Sequence, residues 1–191
     1  MATASATDPV SDLWDALVGE AAVESPLWAE SALPESEQRR EPVFSTLCEP
    51  RFALGVETIY EGYLLHFGQP RLFAPVDADT ALLLGDYLYA HGLVRIAATG
   101  SVEAVNDLAE LISLCAQAQA DGTAGDWAVW AATASSLGAG VLDAPRARLR
   151  ELRDPSALEQ AARAAAGHDA VERARVAHDL HVGRRVGRQM G

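Results

Sequence analysis

Apolar positions recur at helical spacing along most of the chain, and glycines, prolines and capping residues cut that pattern into segments. Leu13, Trp14, Leu17 and Val18 mark a short first helix that Asp8-Pro9 or Ser11 can cap. From Ser25-Pro26 to Pro42 the acids, Pro34 and two arginines predict a loop or loosely docked arm, with Leu27 and Trp28 as packing anchors. A helix is predicted over roughly residues 51–67, closed by Gly68 and Pro70. Asp77 or Asp79 can cap the next one, which runs to Gly100. Its Leu82, Leu83, Leu84, Leu88, Leu93, Val94 and Ile96 put apolar side chains all round, so this helix is expected to be central and buried. Ser101 caps a helix striped by Val105, Leu108, Ile112, Cys115 and Gln119, which Gly122 and Gly125 end. Another runs from Asp126 through Trp127, Trp130 and Leu137 to Gly138-Ala139-Gly140. Asp154-Pro155 opens a short Ala-rich helix that Gly167 breaks. Asp169 to Val186 reads as a polar last helix or a fraying tail. No alternating strand pattern of useful length occurs, and the expected fold is all-α.

With 191 residues, 49% of them hydrophobic, the chain can bury one core. The pattern divides it into an acidic arm with a short helix (1–44), a helical domain (45–167) and a basic C-terminal helix or tail (168–191). A formal charge of −12 argues against a nucleic-acid partner. All of the basic residues are arginine, and there is no lysine. Cys48 and Cys115 have no metal-ligand spacing, and Cys115, on an apolar stripe, reads as a buried free thiol. The first residues lack the basic and apolar regions of a signal peptide, and no apolar run approaches the length of a bilayer. These features predict a cytoplasmic protein without a membrane span.

Asp86 interrupts the helix expected to be buried, and a carboxylate there must be paired, hydrogen-bonded or bound to a cation. Around it, Gly68, Pro70, Gly85, Asp86, Gly100 and Gln119 keep the intervals of one known pattern. Over residues 57–122 the chain resembles the trans-polyprenyl diphosphate synthases, all-helical prenyltransferases that elongate allylic diphosphates. The resemblance implies a truncated helical bundle of the isoprenoid synthase type. It also implies carboxylates that hold Mg²⁺ against a diphosphate, with arginines and lysines on the remaining phosphate charge. Counting back from Gly68, the first aspartate-rich motif of that family falls on Glu57-Thr58-Ile59-Tyr60-Glu61. Glu57 and Glu61, four apart and so on one helix face, are the candidate metal ligands. Asp86 and Gln119 are the candidate catalytic residues, and Arg71 the candidate contact to an isoprenoid diphosphate. Three helices are expected to point these groups into one central cavity.

The chain departs from that family at several points. His66 and Phe67 stand where it has two arginines, the second aspartate-rich motif is missing, and Asp126 and Trp127 occupy about the place of its later lysine motif. The resemblance therefore implies a polyprenyl synthase-like protein that serves as a non-catalytic or regulatory subunit, pairing with itself or with a full-length prenyl synthase. The alternatives are an active Mg²⁺-dependent prenyltransferase and a purely structural helical interaction domain. His178 and His181 lie on the tail among arginines, where a solvated segment is expected.

Overall fold

Eleven consecutive residues of one helix, Gly55 to Leu65, are buried, and the other helices pack around it. A computed structural model describes residues 9–123 and 125–182. Among them are nine α-helices: α1 (Pro9–Glu24), α2 (Pro26–Ser31), α3 (Ala53–Phe67), α4 (Ala78–Ala97), α5 (Val102–Ala120), α6 (Asp126–Ser135), α7 (Asp143–Leu152), α8 (Ser156–Ala166) and α9 (His168–Val182). The described residues contain no β-strand, only one isolated antiparallel bridge between Ala32 and Phe73, and the fold is all-α.

The helix starts follow local chemistry. The Asp77 carboxylate accepts from Thr80 N at 2.7 Å to cap α4, and Ser101 Oγ accepts from Ala104 N at 3.2 Å to cap α5. Gly68 ends α3, its N–H donating to Leu64 O. Helix α7 has no counterpart in the apolar pattern, because only Leu149 and Arg146 of its ten residues are buried.

Helices α3 and α4 lie unusually close. A Cβ on Gly62 would stand 2.9 Å from Gly85 O, and one on Gly92 would stand 2.4 Å from the Ile59 side chain. Gly55 and Gly62 of α3, like Gly85 and Gly92 of α4, are seven apart, so each pair shares a face and lets the two backbones approach. One core lies where α3, α5, α6, α8 and α9 meet, around Phe52, Tyr60, Tyr63, Leu108, Trp130 and Leu158. A second, smaller one joins Trp14 and Leu17 of α1 to Leu72, Phe73, Leu84 and Leu88. Each large apolar side chain buried there contributes about 1.5–3 kcal/mol.

Three expectations are corrected. The helix buried all round is α3, not α4, whose Leu82, Leu83 and Val94 are 53%, 55% and 64% exposed. Two glutamates masked the central position of α3, since a helix carrying charge reads as half-solvated. The arm is not loose: Leu33 N donates to Leu72 O, Ala74 N to Ser31 O and Arg39 N to Arg71 O, at 2.7–3.0 Å. Trp28 does act as an anchor, stacked on Tyr87 with ring centroids 5.9 Å apart. The described part of the last segment is not a solvated tail. Helix α9 buries Val171, Ala174, His178 and His181.

Candidate functional site

Glu57 and Glu61 point from α3 toward the turn after it, where Arg71 is waiting. All three side chains have no exposed surface. Glu57 Oε1 accepts from Val43 N at 2.9 Å and Ser45 N at 3.1 Å, and its Oε2 lies 2.8 Å from Arg71 Nη2. That last contact is an ion pair by distance but is not aligned as a hydrogen bond. Glu61 Oε1 accepts from the backbone N–H groups of Arg71 and Leu72 at 2.7 and 2.8 Å, and its Oε2 accepts from Arg71 Nε at 3.1 Å. Arg71 Nη1 donates to Glu41 O at 2.7 Å. The guanidinium is flanked by the Trp14 and Tyr60 rings, 5.0 and 4.8 Å from their centroids. Burial by itself would lower the Arg71 pKa, but the facing Glu57 and Glu61 carboxylates raise it, so the charge is held.

Two carboxylates, one guanidinium and four backbone N–H donors thus close on one another. The structure brings Glu57, Glu61 and Arg71 together, and it fills the space between the two acids with Arg71. A cation entering there would face those same N–H groups and the fixed guanidinium charge. Among the described residues, no three His, Cys, Asp or Glu side chains converge as a metal site requires.

A second polar network lies on the neighbouring flank of α3. Tyr63 Oη donates to Asp126 Oδ2 in a short hydrogen bond, and Gln119 Nε2 reaches both Tyr63 Oη and Asp126 Oδ2 at 3.2 Å. His178 Nε2 is 3.5 Å from Asp126 Oδ2, and Tyr60 Oη is 3.1 Å from His178 Nδ1. With Nδ1 beside the Tyr60 hydroxyl, the imidazole turns Nε2 toward Asp126, close enough for an ion pair but not aligned as a hydrogen bond. The Tyr60, Tyr63 and His178 rings pack within 6.1 Å of one another against Phe44 and Trp130. Asp126 opens α6, and its Oδ1 accepts from Trp127 N. Burial pushes the Asp126 pKa up, but the His178 and Tyr63 contacts outweigh it and leave the carboxyl below its ordinary range. Burial raises Tyr60 and Tyr63 well above an ordinary phenol, so neither supplies a phenolate near neutrality.

Asp86 stands apart from both networks, which corrects the expectation of one shared cavity. Its side chain is 66% exposed and pairs with His66 Nε2 at 3.3 Å on the outer side of α4. Gln119 does face inward, as its stripe implied, but toward Tyr63 and Asp126. The sequence reading missed Tyr60, Tyr63, Asp126 and His178 as a group. The available signal was two tyrosines three apart on a helix already carrying buried acids. Nothing local tied them to a histidine more than a hundred residues away.

A third buried ion pair holds the α5–α6–α7 side. Arg146 Nη1 donates to Asp107 Oδ1 at 2.8 Å, and Asp107 Oδ2 accepts from Gly138 N at 2.8 Å. Neither cysteine is poised for chemistry: burial pushes the Cys48 thiol up to about 12 and holds Cys115 well above the ordinary thiol range. No described helix is long and apolar enough to cross a membrane. Comparison with protein-family models, curated proteins and solved structures finds no match for this chain.

Proposed function

We propose that this chain is a non-catalytic helical subunit, polyprenyl synthase-like in its central segment, that pairs with a second copy or with a full-length prenyl synthase. The observation that carries this reading is the internal neutralisation of Glu57 and Glu61. The carboxylates that would have to grip Mg²⁺ each accept two backbone N–H groups and face Arg71. The proposed diphosphate contact, Arg71, is likewise committed to those acids and has no exposed surface. Asp86 lies on the outside of α4, where it is exposed and paired with His66 rather than with this buried cluster. A role in association draws support from the same outer face, where Leu82, Leu83 and Val94 are exposed around Asp86.

Calorimetric titration of farnesyl diphosphate, with and without Mg²⁺, tests the first half of the proposal. No heat is expected in either condition. Mg²⁺-dependent binding at micromolar concentration would restore the prenyltransferase alternative and overturn the non-catalytic reading. Light scattering tests the second half: a dimer is expected, or a complex when a full-length synthase is added. A monomer in both mixtures removes the subunit and leaves a self-contained helical domain.

A further inference from the structure

Helix α9 is held to the rest of the molecule in an unusual way. Its packed face offers only Val171 and Ala174 as fully buried apolar residues, and the other two buried positions are imidazoles, His178 and His181. His178 is hydrogen-bonded to Tyr60 through Nδ1, and its Nε2 lies 3.5 Å from Asp126. His181 is different. It is buried, and among the described residues its Nδ1 has no hydrogen-bond partner. Its backbone carbonyl accepts from Gln69 N at 2.9 Å, and a Cβ on Gly68 would stand only 3.0 Å from that oxygen. The backbone at His181 is thus pinned beside the turn that carries Arg71.

The charges around His181 are mostly positive. Arg71 from the turn after α3, Arg39 from the arm and His178 from its own helix all oppose a proton there. Glu57 on α3 favours one, but it is already engaged by Arg71 and two backbone N–H groups. On the α6 side the nearest acid, Asp126, is taken up by His178, Tyr63 and Gln119. On the α8 side Glu159 and Arg163 pair with each other. The 45–47 turn, which also touches α9, carries no charge. A proton on His181 would therefore be a buried cation against two guanidiniums, with no free acid among the described residues to meet it.

We propose that α9 is an acid-released strap: protonation of His181 against Arg71 and Arg39 undocks the helix and uncovers the buried face of α3 that bears Tyr60 and the Glu57–Arg71 pair. The α1–α4 cluster contains no residue of α9 and stays intact, while the larger core gives up only Val171 and Ala174 of its fully buried residues. Release is local and precedes global acid unfolding.

The direction follows from linkage. Burial first, then Arg71 and Arg39, lower the His181 pKa from 6.5 to about 4 in the docked helix. The undocked helix binds the proton more readily, so the docked state loses ground as pH falls from about 6.5 and reaches its full penalty near 4. Between pH 7 and pH 5 the opening equilibrium of α9 should rise about twentyfold.

Hydrogen exchange on the full chain, corrected for intrinsic rates, reads this directly. Amides of 168–182 should lose protection about twentyfold between pH 7 and pH 5 while those of α3 and α4 hold theirs. His181→Phe should remove most of that loss, and His181→Gln, smaller and uncharged, serves if the phenyl ring does not fit. If α9, α3 and α4 lose protection together, or if both variants keep the full pH dependence, the strap is overturned. A measurement on the unaltered protein stands beside these. The His181 imidazole, followed by NMR, should titrate near 4, and titration at 6.5 or above would overturn the proposal.

Discussion

Helix α3 carries two polar networks on neighbouring flanks, and they solve the same problem in opposite ways. On one flank Glu57 and Glu61 are met by a permanent charge and four backbone donors. On the other, Asp126 is met by neutral donors, the Tyr63 hydroxyl and the Gln119 amide, with the His178 ring 3.5 Å away. The first arrangement fixes the turn at residues 68–72 and the segment 41–45 against α3. The second ties α5, α6 and α9 to α3 through side chains that can exchange partners. A buried charge met by backbone and guanidinium acts as cement, whereas one met by hydroxyl, amide and imidazole remains adjustable.

The comparison can be broken most severely at Arg71. Arg71→Met leaves two carboxylates buried without their cation and should cost about 3–5 kcal/mol of stability, read as a lower urea midpoint. A midpoint within error of the unaltered protein would mean the cluster is not the cement described here. Asp126→Asn should cost less, about 1–3 kcal/mol, because Tyr63 and Gln119 retain a neutral acceptor. It should also flatten the acid limb of stability. The folded Asp126 carboxyl titrates below its ordinary value, so its contribution is present above about pH 4 and is lost as pH falls below that. An unchanged acid limb in Asp126→Asn would assign that loss to other groups. The smallest effect belongs to Asp86: Asp86→Ala, at an exposed pair with His66, should shift stability by no more than about 0.5 kcal/mol. A loss comparable to that of Arg71→Met would place Asp86 inside the structural network after all.

Helix positions were largely legible along the chain because caps and breakers are local. Asp77, Ser101 and Gly68 act within a few residues of themselves, and each does what its position implied. The assignment of faces was less legible. Leucines all round α4 suggested a buried helix, yet two of them face outward, while the charged α3 took the centre. Periodicity reports how much apolar surface a helix has, not which neighbour will cover it.

By itself, then, the sequence determined an all-α chain, its main helix boundaries, the inward stripe that includes Gln119 and the free buried state of Cys115. Only the tertiary structure decided that Glu57 and Glu61 close on Arg71, that Asp86 stays outside, and that two histidines of the last helix enter the core. Caps and turns depend on neighbours a few residues away, which spacing encodes. Neutralising a buried charge depends on a partner such as Arg71, or His178 for Asp126, brought up by the chain's path through space, and no spacing rule along the sequence names it.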